Sequence, residues 1–229
     1  MGSGLGAREE FTDLARRLRD GHSVDEIQHV VVDSAVGLID GCDRAAIGVL
    51  DGDTFHSAAT TDDVMRLIDE LQNEVGEGPC LEASADGIAQ IDNDITAASK
   101  WPRLAAIVVE RTPVRAMLAV PLLDEGQRSG ALNVFADSTG AFDDGALSTA
   151  AILASFASVA LAGARHSQRA DQLAKGLETN REIGAAVGIL MATHRISQDD
   201  AFDMLSKASQ RLNRKLRDIA TGIVRGDAK

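Results

Sequence analysis

Hydrophobic residues along this chain repeat with two different periods. Residues 11–20 and 23–39 place apolar side chains every three or four positions, as amphipathic helices do. The second stretch begins at Ser23 and has Glu26 three residues later, which is the capping-box pattern. Short apolar runs with strand character follow at residues 45–50, 54–60, 87–91, 115–123 and 130–137. The pattern predicts an antiparallel sheet with helices around it.

Turns and short helices are predicted between these strands. DGD at 51–53 predicts a tight hairpin between the first two strands, and DEGQRSG at 124–130 joins the last two. A helix is predicted over 64–75, followed by a turn in GEGPC at 76–80. A further short helix is expected within ASKWPRLAAIVVER at 98–111.

Residues 145–164, GALSTAAILASFASVALAGA, contain no charged side chain and are long enough to span a bilayer. Few of them are strongly hydrophobic and the rest are Ala, Gly, Ser and Thr, which makes the membrane signal weak. We therefore expect a buried helix of a folded domain. Its small residues would let a second helix approach closely, which suits a packing or dimer interface.

The following stretch carries a short heptad-like repeat. Alternating spacings of three and four residues, typical of a coiled-coil seam, separate Ala170, Leu173, Leu177 and Asn180. A polar member such as Asn180 is of the type that fixes the register between two chains. Because the seam has few apolar residues, it is interpreted either as a dimerising coiled coil or as a solvated connecting helix.

Three amphipathic helices are predicted beyond residue 180. The first is REIGAAVGILM at 181–191, and the second follows the cap Ser197. Asn213 is expected to cap the third, RKLRDIATGIV. Their apolar faces can close a small core, but helices this short need a partner or an attachment to the preceding helix.

The net charge of −12 combines two unlike regions. Residues 1–163 contain 11 Lys and Arg against 27 Asp and Glu, whereas residues 164–229 contain 12 against 8. Within the second region, SKASQRLNRKLR at 206–217 has five basic residues and no acidic one. A small basic unit is the usual footprint of nucleic-acid binding, although a solvated helix face has the same composition. The acidic region is not expected to contact a polyanion.

The order of strands and helices over residues 23–162, with RAMLAVPLL and GALNVFAD as its strand motifs, resembles a GAF domain. The resemblance implies an α+β fold with a sensory pocket between an antiparallel sheet and its covering helices. It implies an unidentified small-molecule ligand, if any, and no cofactor. His56 has no second ligand at metal-binding spacing, so no metal site is expected. The side chains expected at the pocket are Phe55, His56, Trp101 and Met117.

REIGAAVGILM, SQDDAFDMLSKAS and LNRKLRDIA, in this order within residues 177–224, resemble an ANTAR domain, a three-helix RNA-binding antitermination module. The resemblance implies that a dimer grips two small stem-loops in nascent RNA and prevents a terminator hairpin from forming. Such binding needs cations for phosphates, amides for loop bases and small residues for close backbone approach. The residues expected to supply these contacts are Arg181, Ala186, Gly188, Lys207, Gln210, Arg211, Asn213, Arg214, Lys215 and Arg217.

Two of these residues have alternative interpretations. Asn213 is either an RNA contact or a helix cap alone. Arg217 either binds a phosphate or pairs with Asp203 or Asp218.

Catalysis is not expected from this chain. It has no Gly-rich phosphate loop, no GxSxG elbow and no HExxH helix. Some GAF relatives reduce methionine sulfoxide with clustered cysteines, but Cys42 and Cys80 are far apart in sequence and are expected to be buried free thiols. The N-terminus shows no secretory signal pattern, so the cytoplasm is the expected location.

The predicted organisation is an N-terminal helix at 1–22, a GAF-like sensory domain at 23–162, a helical linker at 163–176 and an ANTAR-like domain at 177–229. A long connecting helix, with a coiled coil as one interpretation, is expected between the sensory domain and the small C-terminal three-helix domain. The predicted function is an RNA-binding antitermination regulator acting as a homodimer. The alternative is a signalling adaptor whose basic helices dock on an acidic protein. A double-stranded DNA-binding regulator ranks third, because no helix-turn-helix with a base-reading helix is evident.

Overall fold

A computed structural model of the chain describes residues 3–21, 23–51, 54–124 and 127–226. The chain divides into two compact units, an N-terminal unit (Met1–His166) and a C-terminal unit (Ser167–Lys229). The strands are β1 (Arg44–Asp51), β2 (Thr54–Thr60), β3 (Gln90–Asp92), β4 (Ala116–Asp124) and β5 (Gln127–Ala136). The helices are α1 (Ser3–Asp20), α2 (Val24–Leu38), α3 (Asp63–Val75), α4 (Pro79–Asp86), α5 (Pro102–Arg111), α6 (Asp144–His194), α7 (Gln198–Leu212) and α8 (Leu216–Arg225).

The five strands form one sheet in the order β2-β1-β5-β4-β3, with every neighbouring pair antiparallel. This confirms the predicted α+β fold, a sheet flanked by helices. The predicted DGD hairpin falls partly outside the described residues, but β1 and β2 pair as it requires. Pairing of β4 with β5 extends to Asp124 opposite Gln127, so the predicted turn at 124–130 is too long.

The side chains of β4 and β5 alternate between two helical layers because successive residues of a strand point to opposite faces. Leu118 and Val134 join a core formed with α1, α2 and the N-terminal part of α6. Met117 and Phe135 point the other way, into a core formed with α3 and α5. The sheet is therefore covered on both faces, and each face has its own apolar core.

Helix α4 was missed by the sequence pattern, which predicted only a turn at 76–80. Gly78 has φ 149°, and Pro79 occupies the first turn of the helix, where its missing N–H costs nothing. A Cβ at Gly78 would lie 2.2 Å from Gln72 Oε1, so the turn needs glycine both for its backbone angle and for space. This Gly-Pro entry places α4 against β4 and β5.

Helix α6 contains three segments that the sequence separated: the uncharged stretch, the linker and the first C-terminal helix. Among the helices of the described residues, α6 is the one whose length and apolar composition would allow it to cross a membrane. The prediction of a buried helix at 145–164 is only half right. Leu153, Ala157 and Leu161 pack in the core, whereas the opposite face is exposed.

The C-terminal unit closes a small core between the end of α6, α7 and α8. Val187, Leu190 and Leu205 supply its largest buried side chains. Ser197 caps α7 as predicted, since its Oγ accepts a hydrogen bond from the Asp200 backbone N–H at 3.2 Å.

Candidate RNA-binding surface and sensory pocket

The basic segment of the C-terminal unit spans the end of α7, a tight turn and the start of α8. Lys207 and Arg211 are four residues apart, which brings them to one side of the end of α7, and Arg214 follows in the turn after the helix. The predicted RNA contacts in this segment are all exposed to solvent: Lys207, Gln210, Arg211, Asn213, Arg214, Lys215 and Arg217. The unit thus folds so that its core is apolar and its cations remain outside.

Asn213 ends α7 rather than beginning α8, so the predicted capping role is corrected. It adopts the left-handed conformation (φ 49°, ψ 41°), which Asn tolerates better than most residues because its short side chain bonds locally. The Ser209 hydroxyl donates to the Arg214 carbonyl at 2.6 Å and holds the turn closed. Asn213 therefore ends α7 through its backbone conformation, and its side chain does not cap the N-terminus of α8.

The N-terminus of α8 is electropositive. Lys215 occupies the N-cap position and makes no side-chain cap hydrogen bond. The first N–H groups of a helix carry partial positive charge, and here Arg214 and Lys215 add full charges next to them. Arg217 is different, because its Nε lies 3.4 Å from a carboxylate oxygen of Asp218. Arg217 is therefore the weakest candidate for a phosphate contact in this segment.

The candidates on α6 separate into exposed and buried positions. Arg181 and Gly188 are exposed, and nothing lies within 4 Å of a Cβ built at Gly188. Ala186 is fully buried in the small core, so it offers no surface for a backbone approach and drops out of the candidate set. Gly188 lines a groove whose α7 wall carries Asp199 and Asp203. These carboxylates would repel a phosphate, so Gly188 is suited to a base or an uncharged group.

The predicted sensory residues lie in the layer between the sheet and helices α3 to α5, with one exception. Phe55, Trp101 and Met117 are buried, whereas His56 is exposed on the outer side of β2. The Trp101 indole N–H donates to Glu82 Oε1 at 2.8 Å. Three of the four predicted side chains are thus brought to this region, and His56 is excluded from it by strand alternation.

Phe55 packs with Cys80, Ala83, Ala119 and Ala131, between α4 and the sheet. Gly48 on β1 makes room for its ring, because a Cβ there would lie 1.9 Å from Phe55 Cε1. The aromatic side chain therefore fills space at the centre of this layer.

Buried polar groups surround this cluster, and the sequence pattern did not identify them. Gln72 and Asn133 are fully buried, and Ser84 is nearly so. Gln72 Oε1 accepts from the Cys80 backbone N–H at 3.1 Å. Within the described residues, Gln72 Nε2, Ser84 Oγ and both amide atoms of Asn133 have no oxygen or nitrogen atom as a hydrogen-bond partner. Unpaired polar atoms at this depth are costly, so they are the natural contacts for a polar ligand or for ordered water.

A polar residue inside an apolar pattern is the signal that could have found these groups. Asn133 interrupts the apolar strand GALNVFA, and Gln72 follows Met65, Ile68 and Leu71 on the buried face of α3.

Two ionisable groups in the same region are strongly affected by burial. Burial raises the pKa of Asp69 to about 6, although its hydrogen bond from Ser57 and the nearby His56 both lower it. Burial also raises the pKa of the Cys80 thiol well above its usual value, and the charge of Asp69 raises it further. Hydrogen bonding of the Asn133 and Gln72 side chains to the thiol lowers that pKa without offsetting burial, and sulfur is too weak a partner to satisfy these amides. A thiol held neutral in this way is a weak nucleophile.

Cys42, the second cysteine, lies in the other core layer. Burial raises its pKa to about 12, and the neighbouring charge of Asp43 adds to the effect. The described part of the chain contains no group of three or more His, Cys, Asp or Glu side chains placed to hold a metal ion.

Comparisons with known families match both units. A family model for the GAF domain matches residues 21–162, and one for the ANTAR domain matches residues 171–224. No curated protein is matched to the chain.

Solved structures are similar to the chain at low sequence identity. The free methionine-R-sulfoxide reductase of Neisseria meningitidis is 17% identical with a TM-score of 0.58, over 70% of this chain and 91% of that one. The phytochrome photosensory core module of Stigmatella aurantiaca is 17% identical with a TM-score of 0.64, over 90% and 45%. The GAF domain of an Acinetobacter phosphoenolpyruvate-protein phosphotransferase is 14% identical with a TM-score of 0.55, over 72% and 96%. At these identities the similarity establishes the fold alone.

Proposed function

The chain belongs to the GAF domain family and carries a C-terminal ANTAR domain, and we propose that it binds paired small stem-loops in nascent RNA. This combination of domains is that of a sensory antitermination regulator. Binding would hold the transcript in a form that prevents a terminator hairpin. The protein would act as a homodimer in the cytoplasm, with the helical segment containing Ala170, Leu173, Leu177 and Asn180 between the two copies.

The observation that carries this proposal is the exposed basic segment around the α7–α8 turn. Its five cations are outside the core, and no carboxylate lies between Ser206 and Arg217. An RNA backbone is bound mainly through exposed Lys and Arg side chains, which release counterions from it. The N-terminal unit has a strong excess of carboxylates and would keep RNA away from its own surface.

Each candidate has a distinct role in the proposal. Arg214 and Lys215, beside the uncapped N-terminus of α8, would hold a phosphate, and Lys207 and Arg211 would follow the backbone along α7. The Gln210 and Asn213 amides would pair with loop bases, since an amide offers a donor and an acceptor together. The exposed Arg181 would add a phosphate contact from α6.

The N-terminal unit would sense a small molecule in the layer that contains Phe55, Trp101 and Met117. The unpaired polar atoms of Gln72 and Asn133 would bind it. His56 would remain outside the pocket. No catalytic step is assigned to this layer, and the unit would act by binding.

Salt-dependent RNA affinity of the full chain tests the proposal. With an RNA containing two small hairpins, Arg214→Ala/Lys215→Ala should lose about tenfold affinity per phosphate contact, and the plot of log K against log salt should flatten by roughly two. The control is Lys175→Ala/Arg225→Ala, which removes two exposed cations from the same unit outside the basic segment. Equal affinities for the wild type and Arg214→Ala/Lys215→Ala would refute the proposal.

Asn213→Gly separates the amide contact from the turn. Glycine adopts the left-handed conformation at no steric cost, so the turn survives and only the side chain is lost. We expect weaker RNA binding with the salt dependence unchanged, because an amide neutralises no phosphate. Unchanged affinity would assign Asn213 a purely structural role.

A further inference from the structure

We propose that the sensory layer of the N-terminal unit binds a small uncharged heterocycle, of the size and hydrogen-bonding pattern of a pyrimidine base, in the place that the Phe55 ring occupies in this structure. The inference rests on the sensing role in the proposed function and names the class of ligand. It adds that the Phe55 ring keeps the site closed until the ligand displaces it.

Around Asn133, the sheet face that is turned to helices α3 to α5 carries small side chains. Asn133 of β5 lies directly opposite Ala46 of β1 and Ala119 of β4. Gly48 and Ala131 form the next pair along the same face, since alternate residues of a strand share a face. A floor of Ala and Gly leaves room above it, with one amide group at its centre.

Helix α4 covers this floor with small side chains as well. Cys80 and Ala83 are fully buried against the sheet, and Ser84 is nearly so. The phenyl ring of Phe55 reaches in from β2 and is the largest buried side chain of the cluster. The space between α4 and this part of the sheet, here called the Phe55 slot, is therefore flat, sized for one ring, and filled by the protein's own side chain.

Polar groups next to the Phe55 slot lack partners that a phenyl ring cannot supply. Gln72 Nε2, Ser84 Oγ and both amide atoms of Asn133 bond to no oxygen or nitrogen atom of the described residues. Gln72 is tied to the slot through its bond from the Cys80 N–H, and Ser84 lies one turn after Cys80 on α4. A heterocycle in the place of the ring would offer these groups donors and acceptors together, as a nucleobase edge does to Asn and Gln side chains.

The charges around the slot favour an uncharged ligand. Asp69 is buried, accepts a hydrogen bond from the Ser57 hydroxyl, and lies near enough for its charge to act on the Cys80 thiol. Among the described residues, none of the buried side chains is Lys, Arg or His. A ligand phosphate or carboxylate would thus meet a negative charge and no positive one, which is costly away from water.

Displacement of Phe55 requires its side chain alone to move. The Asn73 amide bonds both the N–H and the carbonyl of Phe55, so the backbone of β2 stays tied to α3. A ligand that binds only the form with the ring outside has its affinity reduced by the small population of that form. Truncation of the ring should therefore raise ligand affinity.

Isothermal titration calorimetry of the full chain with uracil tests the proposal, because uracil is an uncharged single ring with a donor between two acceptors. Phe55→Ala opens the slot and should bind uracil more tightly than the wild type by about tenfold or more. Adding Asn133→Leu, which keeps a similar volume without the amide, should weaken that binding about tenfold. Phe55→Leu is the milder variant and should change affinity in the same direction if Phe55→Ala does not fold.

Two further probes separate hydrogen bonding and charge from the mere filling of space. A purely apolar cavity accepts benzene, so benzene should bind Phe55→Ala more weakly than uracil does. Orotate, a uracil that carries a carboxylate, should not bind. The control variant is Phe142→Ala, which opens a cavity in the other core of the N-terminal unit and should not bind uracil.

Trp101 supplies a second readout. It is the one tryptophan of the chain, and its indole N–H donates to Glu82 on α4 at 2.8 Å. A ligand beneath α4 should change the Trp101 fluorescence with the same dependence on uracil concentration as the heat of binding. Orotate should leave the fluorescence unchanged.

Several outcomes would overturn the proposal: folded Phe55→Ala that binds no uracil, benzene or orotate that binds as tightly as uracil, or affinity unchanged by Asn133→Leu. RNA affinity is measured separately with the two-hairpin RNA. A chain that binds uracil but no RNA would refute the RNA-binding function and leave this inference standing. A chain that binds RNA, while neither Phe55→Ala nor Phe55→Leu binds uracil, would refute this inference alone.

Discussion

The two units of this chain place their polar residues in opposite ways. The N-terminal unit buries Asp69, Gln72 and Asn133 between its sheet and helices α3 to α5, whereas the C-terminal unit leaves its cations outside a small apolar core. A small ligand is recognised by polar groups withdrawn from water, and a polyanion by exposed charge that needs no cavity. The two units are therefore suited to unlike partners, although amphipathic helices cover an apolar core in both.

The two units should differ most in how they respond to the loss of a core side chain, because their cores differ in size. Leu205 in the C-terminal unit and Leu153 in the N-terminal unit are both buried, so truncation of either to Ala should cost about 2–5 kcal/mol. The smaller unit has less stability to lose. Leu205→Ala should therefore unfold it and abolish RNA binding, whereas Leu153→Ala should lower the melting temperature only.

Hydrogen exchange resolved by peptide checks this contrast. In Leu205→Ala, protection should vanish over residues 198–225 and remain over the sheet. Wild-type protection of residues 198–225 in that variant would show that the small core is more stable than its size suggests.

Burial of Asp69 should give the N-terminal unit a distinct pH dependence. Because folding raises the pKa of this carboxyl to about 6, its contribution to stability is fully present below about pH 4 and is lost as the pH rises through 6. Asp69→Asn removes that loss and keeps an acceptor for the Ser57 hydroxyl. Urea unfolding should show the variant more stable at pH 8 by on the order of 2–3 kcal/mol, with the difference vanishing near pH 4. A difference that is independent of pH would contradict the account.

The unpaired amide of Asn133 should lower the stability of the N-terminal unit when no ligand is bound. Asn133→Leu removes two unpaired polar atoms and should stabilise the N-terminal unit by about 1–2 kcal/mol. The matched control is Asn93→Leu, because Asn93 is hydrogen-bonded to the Phe142 backbone at 2.6 Å and 2.9 Å and should be destabilised by the change. If both variants lose stability in denaturant unfolding, Asn133 has a partner such as ordered water.

Helix caps should give the smallest effect and the same one in both units. Ser23 Oγ accepts from the Glu26 N–H at 3.1 Å, and Ser197 Oγ accepts from the Asp200 N–H at 3.2 Å. Replacement of either serine by Ala should cost about 1 kcal/mol. Thermal melts should show that Ser23→Ala affects the N-terminal unit and Ser197→Ala the C-terminal one. A loss well below 1 kcal/mol at either site would mean that solvent replaces the cap.

The parts of the fold that the sequence predicted are those set by local periodicity. Alternation gave the strands, and Ser23 and Ser197 marked helix starts because their hydroxyls need only neighbouring N–H groups. Helix α4 was missed because it is short and depends on a Gly-Pro entry that also reads as a turn. The sequence pattern separated three segments of α6 because the composition changes from uncharged to charged and back to apolar along the helix.

Among the candidate site residues, the sequence predicted the exposure of the charged side chains. Exposed cations such as Arg214 were found from sequence, since a charged side chain seldom lies in a core. Ala186 was misplaced because alanine fits a core and a surface equally well. The partners of Asn133 and Gln72 depend on residues distant in sequence, which no local pattern reports. His56 was misplaced because its face of β2 was not assigned.

Crosslinking of RNA to the full-length protein in cells, followed by sequencing, tests the central claim most directly. The account predicts that crosslinked reads gather at leaders with two small stem-loops upstream of a terminator. It also predicts that these reads disappear in Arg214→Ala/Lys215→Ala and persist in Lys175→Ala/Arg225→Ala. Reads spread without preference over transcripts, or unchanged in Arg214→Ala/Lys215→Ala, would contradict it.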